Sequence, residues 1–197
     1  MNEILIILAL ILLNGLFSMS EIALISARKS RLSSDAKNGD KGAETALDMS
    51  EQPDKFLSTV QIGITLIGIL TGIFSGAAVA TELSHWLQSL GISSGYAMTI
   101  AQTAIVIIVT YLTLVFGELL PKRIGMSMSE KIAKMMSRPM NLLSKIVSPF
   151  VLLLSGSTSM LFKLMGLKEG ETKVTEEEIK SIVQEGAENG VVQPMEQ

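Results

Sequence analysis

At 197 residues, 48% of them hydrophobic and 18% charged, with a mean hydropathy of +0.45, the chain is too apolar for a soluble domain whose surface must carry charge, and it reads as a membrane protein. It has no cysteine and one histidine, which excludes disulfides, thiol nucleophiles, thiolate metal centres and the usual transition-metal clusters. The net charge of -3 hides a segregation, basic residues flanking the apolar runs and acids crowding the C-terminus, a pattern that argues against nucleic acid as a partner.

The first apolar run covers residues 4–27. Asn2 and Glu3 precede it in place of a basic n-region, and Arg28, Lys29 and Arg31 follow it as a stop-transfer pattern. It is therefore expected to be a retained spanning helix and not a cleaved signal peptide. Asn14, Ser18 and Glu21, at spacings of four and three, share one of its faces.

The second run, residues 56–83, follows Pro53 and is punctuated by glycine, so it is expected to be tilted, kinked or broken near Gly76. Ser58, Gln61 and Thr65 share a face, with Thr59 next to Ser58. Gly68, Gly72, Gly76 and then Ala80 make a small-xxx-small stripe, whose expected meaning is close helix packing within a subunit or across a dimer. His85 reads as a solvated loop residue, and Trp86 and Tyr96 as interface anchors. The third run, residues 96–120, carries Gly117 and Glu118 and is closed by Pro121.

Arg28, Lys29, Arg31, Lys37, Lys41 and Lys55 lie between the first two runs, and Lys122, Arg123, Lys131, Lys134 and Arg138 follow the third. The positive-inside rule then places the N-terminus outside and the C-terminus in the cytoplasm. Residues 1–137 thus read as a transmembrane domain of three spans. In residues 138–167 Pro149, Gly156 and several hydroxyl residues interrupt the apolar stretch. These are expected to form juxtamembrane helices at the inner interface rather than a fourth span. Residues 168–197 are acidic, with Thr175 and Glu178 spaced as a capping box. They read as the start of a cytoplasmic helical bundle that has been cut off. The expected fold is an all-α membrane protein.

The polar residues singled out in each span fall in the half near the basic loops. Counted at 1.5 Å per residue, Glu118 lies about 6 Å and Glu21 about 10 Å from that end. Carboxylates there are costly and usually functional. With hydroxyl and amide oxygens, and backbone carbonyls near Gly63 and Gly117, they form an all-oxygen set suited to Mg²⁺, Ca²⁺, Na⁺ or a proton relay. The plainer reading of Glu118 is an i,i+4 pair with Lys122, and that of each hydroxyl a bond to its own preceding turn. No nucleophile and base pair is visible, so an enzyme is not expected.

The motifs GLFSMSEIAL, STVQIGITLIGILTG, FGELLPKRI and TEEEIKSIVQEGAENGVV together resemble the membrane domain of the CorB/CorC and cyclin M (CNNM) family, also called hemolysin C-like. The resemblance implies Mg²⁺ efflux, Na⁺-coupled in some members. It also implies a homodimer of three-span subunits in the cell (inner or plasma) membrane, with juxtamembrane helices and a cytoplasmic helical bundle. Nucleotide would bind only through C-terminal domains absent from this sequence. By the same resemblance the metal ligands are Ser18, Ser58 or Thr59, Gly117 and Glu118. Glu21 would be a second ligand or the coupling-ion residue. Where many members carry Asn after the second span's glycine this chain has Ile64, which leaves Gln61 or Thr65 to substitute. The expected function is export of Mg²⁺ through an inward-open acidic cavity, the alternatives being export of other cations such as polyamines, or a membrane scaffold.

Overall fold

The computed structural model describes residues 2–76 and 78–166, and every element among them is helical. Helix α1 spans Asn2–Ser26, α2 Lys29–Lys37, α3 Lys41–Glu51, α4 Pro53–Gly76, α5 Ala78–Ser89 and α6 Ser94–Leu114. A π-turn, Val115–Leu119, then leads into α7, Leu120–Ser127, and α8, Ser129–Leu164. The expected break near Gly76 falls at residue 77, which lies outside the described residues. The capping box at Thr175 and the start of the cytoplasmic bundle lie outside the described residues.

Four helical stretches among the described residues are long and apolar enough to cross a membrane: Glu3–Ser26, Pro53–Ser89, Ser94–Ser127 and Ser129–Leu164. The first three match the three expected spans, the first ending at Ser26, one residue before the expected end. The fourth takes in most of the segment read from sequence as interfacial, because α8 runs unbroken through Pro139 and Pro149. The chain divides into two units at the Leu153–Leu154 junction inside α8. Past it, from Leu154 to Leu164, nearly every side chain is exposed.

Within the first unit α1 packs against α4, the π-turn and α7, while α5 packs against α6. Phe17 and Leu24 of α1 enter one core with Phe56, Val60 and Ile67 of α4. Leu32 of α2 and Ala43 and Ala46 of α3 join the same core with no exposed surface. The basic stretch between the first two spans is therefore a packed helical hairpin, not an open loop.

The hairpin forms for local reasons. Gly39, at φ +91°, takes the left-handed conformation that closes a helix at least strain. Asp40 then caps α3, its Oδ1 accepting from the backbone N–H groups of Gly42 at 2.8 Å and Ala43 at 3.2 Å. Lys134 of α8 ties the corner down, with Nζ 2.7 Å from Asp35 and 3.1 Å from Asp40. The Ala43 N–H first, and the Lys134 ammonium next, hold the Asp40 carboxyl below the ordinary carboxylate range. Close approach of α3 to α8 needs glycine: a Cβ at Gly42 would lie 2.7 Å from the Lys134 carbonyl oxygen. The Ser137 hydroxyl donates to the Gly42 carbonyl at 2.9 Å.

Candidate functional site

Pro121 has no N–H, so in an α-helix the carbonyl four residues back, that of Gly117, would lose its donor. The chain meets this loss with two adjustments. Just before the proline the helix widens to π geometry, with the Leu120 N–H bonded to the Val115 carbonyl. The Gly117 carbonyl then receives the Asn14 side-chain amide of α1 at 3.0 Å, in a buried bond. A π-bulge inside a helix is a frequent mark of a functional position.

Three glycines let the helices come this close. A Cβ at Gly15 would lie 2.8 Å from the Phe116 carbonyl oxygen and 2.9 Å from Pro121 Cγ. One at Gly117 would sit 3.2 Å from the Asn14 amide nitrogen and 3.3 Å from the Ile11 carbonyl oxygen. One at Gly125 would strike Ile22 and approach the Met19 carbonyl oxygen at 2.8 Å. These contacts bring the α1 polar face to the π-turn. Ser18, one turn past Asn14, is 2% exposed, and Glu21 is partly buried.

Glu118, next to Gly117, is half-exposed, with a side-chain exposure of 43%. Its Oε1 accepts from Lys122 Nζ at 2.8 Å, the i,i+4 pair that the spacing allows. The carboxylate is thus held by a primary ammonium one turn away.

The residues expected from α4 divide. Thr59 is fully buried, but its hydroxyl donates to the Lys55 carbonyl at 2.8 Å and lies 3.3 Å from the Ser144 hydroxyl of α8. Ser144 also lines a polar cavity of about 180 Å³ with Asp48, Gln52, Lys55 and Asn141. Ser58 is partly buried, and Gln61 and Thr65 are exposed. Gly63 lies against the Phe17 ring, which occupies the space a Cβ would need. Ile64 packs on the core. Gly68 and Gly72 have nothing among the described residues within 4 Å of where a Cβ would stand.

Among the described residues no group of three His, Cys, Asp or Glu side chains is placed to hold a metal ion. At the π-turn itself stand the Gly117 carbonyl, held by the Asn14 amide, and the Glu118 carboxylate, held by Lys122. Sequence reasoning singled out Asn14, Ser18, Gly117 and Glu118 but missed the π-turn and the bond that joins the first to the third. The spacing of Gly117 to Pro121 is the signal that could have found it, because it leaves a carbonyl without its helical donor.

Comparison with known proteins matches residues 5–196 to the cyclin M transmembrane N-terminal domain family. A UPF0053 protein of Synechocystis, sll0260, is 44% identical over 99% of this chain and 44% of its own length. The polyamine export protein of Escherichia coli K12 is 34% identical over 100% of this chain and 44% of its own length. The UPF0053 protein YhdT of Bacillus subtilis is 29% identical over 99% of this chain and 43% of its own length. The chain spans under half the length of these curated relatives.

Proposed function

We propose, on the premise that this chain belongs to the cyclin M transmembrane N-terminal domain family, that it is the membrane part of a cation exporter. In this reading it lies in the cell membrane as a homodimer, N-terminus outside and C-terminus in the cytoplasm. The observation that carries the proposal is the π-turn, Val115–Leu119, seated on the polar face of α1. It widens a spanning helix next to an intramembrane carboxylate, and irregular backbone at membrane depth is tolerated only where it is buried in protein or lines a water-filled cavity.

The substrate of first choice is Mg²⁺. It dehydrates reluctantly and binds through one or two carboxylates with its waters largely retained, which suits a junction with few carboxylates better than a closed cage would. Ser18, the carbonyls beside the π-turn and Glu118 would receive the hydrated ion, with Glu21 one turn away for a coupling ion such as Na⁺. Lys122 would act as a competitor: an arriving cation displaces its ammonium from Glu118, and the ammonium returns when the cation leaves. The basic residues at the same end place the junction on the cytoplasmic side by the positive-inside rule, the side from which an exported cation would enter.

A specific observation favours polyamines as the second reading. Glu118 accepts a primary ammonium at 2.8 Å, the group a polyamine presents, and the E. coli relative is named a polyamine export protein. One experiment tests both. In proteoliposomes holding the purified chain and a Mg²⁺-sensitive dye, Glu118→Gln is expected to lower Mg²⁺ flux by about tenfold. Unchanged flux in that variant would overturn the site. Loss of Mg²⁺ flux to competing spermidine would move the assignment to polyamines.

A further inference from the structure

The outer side of α8 carries two kinds of side chain that need different surroundings. Lys131, Arg138 and Lys145 recur every seven residues, about 10 Å apart along the axis, and all three are exposed. Met135, Leu142 and Ile146 lie beside them, each at least 60% exposed. At the helical repeat these six residues fall within an arc of about 100°. The buried Ala133, Ser137, Met140 and Ser144 lie on the opposite side of the helix.

That buried side sets the rotation of α8. The Ser137 hydroxyl donates to the Gly42 carbonyl at 2.9 Å, the Thr59 hydroxyl lies 3.3 Å from that of Ser144, and Lys134 Nζ lies 2.7 Å from Asp35. The stripe opposite is therefore held outward. None of its three cations enters an ion pair among the described residues. The one acid of α8, Glu130, lies off the stripe, 3.8 Å from Arg31.

The mixture narrows what can cover the stripe. Water would leave three large apolar side chains exposed, and hydrocarbon would leave three charges unsolvated. The boundary between them satisfies both, because the apolar side chains enter the acyl layer while the long basic ones reach the headgroups. A zwitterionic headgroup brings its own ammonium with its phosphate and so leaves the three positive charges uncompensated, whereas an anionic phospholipid neutralises them. A free phosphate would pair with the cations but leave the apolar side chains uncovered.

We propose that this stripe of α8 docks on a lipid surface of anionic phospholipid, with Lys131, Arg138 and Lys145 on the phosphates and Met135, Leu142 and Ile146 among the acyl chains. The proposal uses no residue of the π-turn junction and does not depend on which cation that junction carries.

Native mass spectrometry of the purified full chain in detergent, titrated with dioleoylphosphatidylglycerol or dioleoylphosphatidylcholine, tests it. The anionic lipid is expected to bind about tenfold more tightly. The triple variant Lys131→Gln, Arg138→Gln, Lys145→Gln should lose most of that preference. The same change of charge at Lys29, Lys37 and Lys41 of the hairpin, which are also exposed, should leave it intact. Glycerol phosphate, which has the charge without the chains, should not displace the lipid. Equal binding of the two lipids, displacement by glycerol phosphate, or an equal loss in both triple variants would each overturn the proposal. So would a stripe variant that keeps its lipid preference and changes oligomeric state, since the face would then belong to a second copy. If the stripe variant does not fold, Arg138→Gln alone carries the test: it should lower the preference about twofold, and an unchanged preference would overturn the proposal.

Discussion

Two glycine-rich faces behave in opposite ways. At the junction of α1 with the π-turn and α7, Gly15, Gly117 and Gly125 lie against carbonyl oxygens, an amide and side chains, with no room for a methyl group at Gly15 or Gly125 and only a tight fit at Gly117. On α4, Gly68 and Gly72 repeat at the spacing that marks helix packing in membranes, yet nothing among the described residues comes within 4 Å of either added Cβ. The α4 stripe instead borders a groove of about 360 Å³ that it shares with Val106, Thr110 and Thr113 of α6. A small-residue repeat makes a smooth surface. Whether that surface has a partner is a separate matter, decided by the rest of the fold.

The comparison can be broken most directly at Gly15. Gly15→Ala puts a methyl group 2.8 Å from the Phe116 carbonyl, and neither that backbone nor the Pro121 ring can swing aside. The expected loss is about 2 to 3 kcal/mol of stability, read by unfolding in detergent. A loss below 0.5 kcal/mol, roughly the effect of an ordinary surface change, would mean the two faces do not differ as described.

A smaller loss is expected from Asn14→Ala. It removes the amide that the Gly117 carbonyl accepts at 3.0 Å, leaving a buried acceptor unpaired at a cost of about 1 to 2 kcal/mol. If the π-turn exists to accommodate the missing Pro121 donor, Pro121→Ala should recover part of that loss in the double variant. Full additivity of the two changes would separate Asn14 from the proline.

Gly72→Ala sharpens the contrast from the other side. Its added methyl group meets open space, so in monomeric protein the helix should gain about 0.5 to 1 kcal/mol from the better helix former. Destabilisation of the monomer would show that the stripe is packed within the chain after all.

Much of the fold is legible in one dimension. The apolar runs, their order and the basic residues that flank them each follow from hydropathy and from proline at particular positions. The candidate site was half legible. Asn14 and Ser18 declared themselves by a shared face, and Glu118 by its charge in an apolar run. Thr59 shows where that reasoning stops, since its hydroxyl turns to Lys55 and Ser144, and the sequence held no hint that α8 would pass beside it. The Lys134 bridge to Asp35 and Asp40 was hidden for the same reason, because its partners lie almost a hundred positions apart, |i−j|=99 for Asp35.

The sequence by itself determined that this is an all-helical membrane chain, where its apolar segments run, and which polar residues they carry, because helical periodicity and hydropathy are properties of a segment and its solvent. Only the tertiary structure decided that Asn14 completes the π-turn, that the stretch after the first span folds into a packed hairpin, and that one glycine stripe is filled while the other is open. Those outcomes depend on which groups from distant segments are left without a partner and which neighbour lies near enough to supply one.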